Sequence, residues 1–167
     1  MHPADLRAGT QLPAGLGVAT VLPDIDFESY SEAGSVFDYE TQKWVGPPGA
    51  AKGKKGLFVV GAALYATHPT TEALSLAYNL KDGRGPRRWV PARLPQKPDD
   101  LIAWVLAGGI VEAWNSAFEW WVWNYVCVPK YGFPPLPIEQ TRCAMGKARA
   151  SGYPGALEEA GAVMNLT

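Results

Sequence analysis

Three carboxylates stand two residues apart in the stretch PDIDFESYSE, residues 23–32: Asp24, Asp26 and Glu28. At that spacing on a β-strand, side chains leave the same face, so the acids share one side while Ile25 and Phe27 share the other. Like charges held this close repel one another unless solvent screens them or a cation sits among them. Carboxylate oxygens of this kind suit a hard divalent ion such as Mg²⁺ or Mn²⁺. The face is therefore either a solvated edge or part of a metal site. A second group lies in EAWNSAFEWW, residues 112–121, where Asn115, Phe118 and Glu119 fall at the junction of an apolar strand and a helix. Open α/β sheets build ligand sites at such junctions. A carboxylate in a first helical turn is also favoured by the helix dipole alone.

The elements that must position these residues follow from periodicity. Residues 1–19 read as a loose leader and 20–29 as a strand, apolar at its start and alternating afterwards. Residues 40–56 form a Gly/Pro/Lys loop, and 56–69 fit either a short helix or a strand. The segment 71–80 alternates, with Leu74, Leu76, Tyr78 and Leu80 expected on one face; DGRG then turns the chain into a returning strand at 87–91. A helix at 99–107 opens with Asp99 or Asp100 as cap and closes at Gly108 and Gly109. A buried strand at 109–115 leads into a helix at 116–126 capped by Ser116, and further helices are expected at 137–150 and 155–166. Hairpin-joined strands with one helical crossover describe an α/β fold, a mixed sheet flanked by helices.

Bulk properties narrow the function. At 167 residues the chain suits one domain, and 47% apolar with 19% charged residues is the composition of a folded protein. A formal charge of −1 excludes a generally basic nucleic-acid-binding surface and an acidic DNA mimic alike. Nucleic-acid contact would have to be local, through loops such as AKGKK at 51–55 or GRGPRR at 83–88. Cys127 and Cys143 fit no zinc spacing, which agrees with reduced thiols. No export signal is visible, and the apolar run WWVWNYVCV is about half the length of a membrane span. A cytoplasmic protein with no membrane contact is expected.

The two acidic motifs together, in this order and with a hairpin and helix between, carry a resemblance. DIDFESYSE, then GAALYATHPTTEALSLAYNL, then VEAWNSAFEWWVW resembles the N-terminal 3′–5′ exonuclease domain of bacteriophage-type family A DNA polymerases. Those domains are DnaQ-like, with a ribonuclease H-like fold. The resemblance runs from about residue 20 to the C-terminus and implies a proofreading hydrolase that uses two Mg²⁺ or Mn²⁺ ions. Its first motif, D-x-E, falls on Asp26 and Glu28, and its second, N-x-x-F followed by an acid, on Asn115, Phe118 and Glu119. Asp26, Glu28 and Glu119 would then be the catalytic, metal-binding acids. Phe27, Ser29, Asn115 and Phe118 would contact substrate, the 3′ end of single-stranded DNA. Asp24 is expected to be a solvent-facing neighbour.

The family also uses a third motif, a Tyr or His shortly before an Asp on a late helix. After Asp100 the chain has no aspartate, and after His68 no histidine. Glu139, Glu158 and Glu159 remain, but Pro154 and Gly155 interrupt the Tyr153–Glu158 spacing. The resemblance thus implies a domain incomplete at its C-terminal end, with the remainder of a split polymerase as a partner in the bacterial host. A non-catalytic module that keeps the fold to bind DNA or a replication protein is the alternative; an RNA-directed nuclease of the same fold is a third reading. Among the aromatics, Trp120, Trp123 and either Val126 or Cys127 share a helix face that suits core packing, while Trp121 and Tyr125 lie elsewhere. His68 is expected in a loop, and Lys52–Lys55 in a solvated one.

Overall fold

Burial along β1 (Asp24–Tyr30) alternates as the spacing of its acids requires: Asp24, Asp26 and Glu28 are exposed, Ile25 and Phe27 buried. In the computed structural model, which describes residues 22–94 and 96–166, this strand is the centre of a five-stranded sheet. The expected leader at 1–19 lies outside the described residues.

One edge of β1 pairs antiparallel with β4 (Glu72–Asn79) along its whole length. β5 (Arg87–Trp89) adds antiparallel to β4. The chain then crosses to the other edge, where β6 (Val111–Ala113) runs parallel to β1 and β7 (Thr141–Cys143) parallel to β6. The order β5-β4-β1-β6-β7 makes a mixed sheet flanked by helices, consistent with a ribonuclease H-like arrangement. The β1–β6 contact is short, with Asp24 opposite Glu112 as its one register pair.

Between β1 and β4 the chain makes a separate hairpin, β2 (Val36–Asp38) with β3 (Lys43–Val45), and then α1 (Leu57–Thr67). The ambiguous segment 56–69 is thus a helix. It is kinked at Gly61, whose φ of 76° and ψ of 167° suit glycine and few other residues. α2 (Asp99–Leu106) precedes β6. After β6, α3 (Ser116–Val122) runs into a π-helical turn at Trp123–Cys127 and then α4 (Val128–Tyr131). Pro129, just past the wide turn, has no N–H to donate to the regular ladder. Two short helices, α5 (Ala144–Ala150) and α6 (Leu157–Val163), close the described chain.

Four expectations are corrected. The helix at 137–150 is a 3₁₀ turn at Ile138–Gln140, then β7, then α5. A three-residue strand is too short to display a period of two. The same brevity hid β2 and β3, the second of which lies in the segment read as loop. The caps differ as well. Pro98 and Asn115 occupy the N-cap positions of α2 and α3, neither with a side-chain cap bond, and Asp99, Asp100 and Ser116 lie inside their helices. Finally, Leu74 does not join Leu76 and Tyr78 in the core: it is 52% exposed, and Ala73 is buried instead. The register explains this. Glu28 faces Ser75 but Ser29 faces Ala73, so Leu74 is the extra residue of a β-bulge, and alternation changes face there.

The core sits between the sheet and the helices. Phe27, Leu76 and Trp89 meet Leu101 and Val105 of α2 and the buried Val122, Trp123, Val126 and Cys127 of the long helix. Trp123 is fully buried, edge-on to Phe27 at 6.4 Å and to Phe133 at 5.0 Å, and its indole N–H donates to the Pro134 carbonyl at 2.7 Å. Two polar clusters tie the layers at the edges. Lys130 donates to the Thr71 carbonyl at 2.7 Å and pairs with Glu72, fixing α4 to the entrance of β4. Arg87 pairs with both Asp82 and Asp100, while the Tyr78 hydroxyl donates to Asp100 at 2.9 Å, joining the β4–β5 hairpin to α2. Arg84 also pairs with Asp82, so two cations of the GRGPRR loop are already held by acids.

The bulge yields a direct expectation. Leu76→Ala, at a fully buried position, should cost about 2–5 kcal/mol, whereas Leu74→Ala should stay within about 0.5 kcal/mol. Urea denaturation of both variants measures this, and equal losses would place Leu74 in the core after all.

Candidate active site

β6 ends at Ala113, and β1 continues past it to Tyr30. Backbone pairing between the two strands is confined to the start of β1, where Glu112 donates its N–H to the Pro23 carbonyl at 2.7 Å and stands opposite Asp24 as the one register pair. Beyond it, the amide of Phe27 faces away from β4 with no strand to accept it. A buried amide without an acceptor would cost about 1–3 kcal/mol. Glu119 supplies the acceptor. One carboxylate oxygen takes the Phe27 N–H at 3.0 Å, across ninety-two residues of sequence.

Helix geometry explains how Glu119 reaches that position. α3 starts at Ser116 directly after β6, with the Asn115 carbonyl accepting from the Phe118 and Glu119 amides. Glu119 therefore lies in the first turn, facing the gap that opens as β1 and β6 diverge. This gap is the sheet's switch point, since successive strands go to one side of β1 and then to the other.

The electrostatics are those of crowded acids. Glu119 is 5% exposed. Burial first, then the charges of Asp26 and Glu28, push its carboxyl up to about 8, against the partial relief given by the Phe27 amide. Asp26 and Glu28 are thus near enough to be felt, while their own side chains are exposed. The neighbouring acids are neutralised: Asp24 pairs with Lys81 at 2.5 Å, and Glu112 with Lys147. Among the described residues, no cation pairs with Asp26 or Glu28.

The donor set therefore fits a hard divalent cation in its chemistry: three carboxylates, one of them buried, its carboxyl raised first by burial and then by the charges of the other two. In its arrangement the set is not preassembled. Among the described residues, no three His, Cys, Asp or Glu side chains already stand together as a metal cage. Glu119 is committed to the Phe27 amide through one oxygen, which leaves the other for an ion.

The remaining expected residues divide. Ser29 is half-buried and its hydroxyl bonds that of Tyr65 at 3.3 Å. Phe118 is half-buried and leans on the Tyr65 ring, 6.0 Å between centroids. Asn115 is exposed at the head of α3. The Phe27 ring points into the core against Trp123, so the part of Phe27 at the site is its amide. Glu139, Glu158 and Glu159 are exposed, and none contributes to the charge around Glu119. His68 bonds Thr70 in the turn after α1, as a loop residue. Trp121 and Tyr125 stack 4.6 Å apart outside the core. Tyr65 was missed by sequence reasoning. It is an aromatic in an apolar helix, and only the fold shows that its hydroxyl meets Ser29. Among the described residues no helix is long and apolar enough to cross a membrane.

The raised carboxyl makes stability depend on pH with a definite sign. A carboxyl whose folded pKa exceeds its unfolded value of 4.5 contributes stability fully below about pH 4.5 and loses it as pH climbs through about 8. The loss is on the order of 4 kcal/mol for a shift of this size. Glu119→Gln keeps an oxygen for the Phe27 amide and cannot ionise. Denaturant melts at pH 5 and pH 9 without divalent ions should show the wild type losing several kcal/mol more than Glu119→Gln over that interval. Parallel behaviour of the two proteins would mean that Glu119 is not buried beside the other acids.

No model of a known protein family matches the chain, and neither a curated protein nor a solved structure is significantly similar to it.

Proposed function

We propose that this chain is a metal-dependent 3′–5′ exonuclease module acting on single-stranded DNA, of the proofreading kind carried by phage family A polymerases. The observation that carries the reading is the convergence of Glu119 on Asp26 and Glu28 at the switch point of a sheet with ribonuclease H-like strand order. Two motifs far apart in sequence meet there, as a shared site requires.

Asp26, Glu28 and Glu119 would hold the Mg²⁺ or Mn²⁺. Bound there, the ions supply an ionised water and neutralise charge on the leaving oxygen. The chain's own groups prepare the site. The Phe27 amide orients Glu119, so the buried acid meets an ion without rearranging the helix. Exposed Asp26 and Glu28 leave the opposite side open to a strand end. The Ser29 hydroxyl and the Asn115 amide offer neutral hydrogen bonds to sugar or phosphate, and Phe118 with Tyr65 forms an apolar wall that limits water.

A second reading has its own support: among the described residues only three acids converge, they are not preassembled, and Glu139, Glu158 and Glu159 are exposed. A module that binds DNA or a replication protein without hydrolysis would look the same. Two experiments separate the readings. Calorimetry with Mn²⁺ should show weak binding that Asp26→Ala removes; tight binding that survives would put the ion elsewhere. Release of nucleotides from a 3′-labelled oligonucleotide should be slow, metal-dependent and abolished by Glu28→Ala. On the exonuclease reading, a fourth acid supplied in trans by a polymerase segment should raise the rate, at about tenfold per 1.36 kcal/mol of added transition-state stabilisation. Mn²⁺ and DNA binding with no metal-dependent hydrolysis, alone or in trans, would select the binding module.

A further inference from the structure

Beside the acidic site, the C-terminal end of β1 opens into a groove of about 420 Å³, in the size range of small-molecule sites. Its walls are Ser29 to Ser31, Trp44 of the β2–β3 hairpin, Lys55 and the start of α1 at Phe58, with Tyr65 behind. Of these, Ser29 follows Glu28 and bonds Tyr65, and the Tyr65 ring lies against Phe118, so the groove shares its inner wall with the proposed active site. The motifs that carry the family resemblance flank the hairpin and the lysine loop and do not include them.

We propose that this groove is a stacking site for single-stranded DNA, in which Trp44 and Phe58 hold a base upstream of the 3′ end and Lys54 and Lys55 take its phosphate. The assignment of strand and polarity rests on the exonuclease reading. Three features point to this occupant.

The first is charge. Between Glu40 and Glu72 the chain has four lysines, Lys43, Lys52, Lys54 and Lys55, and no acid, in a protein whose net charge is −1. This local positive segment complements phosphate and would place it next to a site where only a metal makes phosphate welcome. The second is the aromatic surface. Phe58 is 78% exposed and Tyr30 42%, on the rim of one groove. Trp44 is held half-buried, edge-on to Phe37 at 5.4 Å. The Lys54 ammonium lies 4.7 Å from the Phe58 ring centre, pairing a cation with a stacking face. Aromatic faces beside lysines are how single strands are held without reading sequence. The third is shape. The lysine loop is a folded rim: Lys55 Nζ donates to the Trp44 carbonyl at 3.0 Å, and the Gly56 amide to the Gly34 carbonyl at 2.8 Å. A Cβ on Gly46 would lie 2.1 Å from the Lys54 carbonyl oxygen, so the two ends of the loop touch backbone to backbone.

The test is fluorescence anisotropy of 5′-fluorescein-labelled dT₁₂ with the full chain in EDTA, where hydrolysis is silent. Trp44→Ala and Phe58→Ala should each weaken binding about 5- to 100-fold. Lys54→Ala should weaken it and reduce its salt dependence. Arg142→Ala, which removes one exposed cation from β7 on the far edge of the sheet, should change it less than about twofold. Phe58 is so exposed that its variant should melt like the wild type; this keeps the test valid if Trp44→Ala fails to fold. Wild-type affinity in Phe58→Ala, or equal losses in Lys54→Ala and Arg142→Ala, would overturn the stacking site whether or not the protein hydrolyses DNA. Loss of binding in Phe58→Ala from a wild type that releases no nucleotide with Mn²⁺ would keep the stacking site and remove the nuclease.

Discussion

A parallel strand pair that stops early leaves a backbone amide to be satisfied, and here the amide of Phe27 is satisfied by the carboxylate of Glu119. Much else depends on that bond. It places the first turn of α3 against the middle of β1 and so sets where the long helix begins. Four residues on from Glu119, about one helical turn, the same helix delivers Trp123 against Phe27 in the core. It also buries an acid beside two others. A neutral hydrogen-bond acceptor could do the structural part of this work. The carboxylate adds a charge that only a cation, or a proton taken up near pH 8, can accommodate.

The distribution of neutralised and unneutralised acids supports a site. Asp24 and Glu112, opposite one another in the β1–β6 register, each have a lysine. Asp82, Asp100 and Glu72 are likewise paired, and they hold hairpin, helix and strand together at the sheet's other edge. Asp26 and Glu28, one and two steps further along β1, stand without such partners among the described residues. Two lysines of the 51–55 loop belong to the rim of the neighbouring groove, where Lys55 is tied to a backbone carbonyl and Lys54 to a ring. Fixed positive charge is thus kept next to the acids and off them, an arrangement suited to a phosphate bridging the two regions.

Much of this was legible in the residues. The i, i+2 spacing of Asp24, Asp26 and Glu28 gave their shared exposed face, and the strand-to-helix junction gave the place of Glu119. What could not be read was set by contacts between distant segments. Leu74 and Leu76 look equivalent in sequence, and only pairing with β1 shows that one bulges out. β7 exists because the edge of β6 is open, a property of the sheet and not of Thr141, Arg142 or Cys143. The hairpin at 36–45 hid for a similar reason, since three-residue strands carry no pattern of their own. Tyr65 entered the site through the kinked course of α1 at Gly61. The bond from Glu119 to Phe27 belongs to the same class: the motifs put both residues at one site, and only the fold shows that the backbone amide of one donates to the carboxylate of the other.

The most direct measurement is the titration of Glu119 itself, followed by the side-chain carboxyl carbon signal in NMR with and without saturating Mg²⁺. Without the ion, the carboxyl should titrate near 8, as burial and the neighbouring charges of Asp26 and Glu28 require. With the ion bound, the midpoint should fall by several units, because a cation among the three acids reverses the sign of the local field. An ordinary midpoint near 4.5 in the free protein, or a raised one that Mg²⁺ leaves unmoved, would contradict the view that these three carboxylates form one metal-binding site.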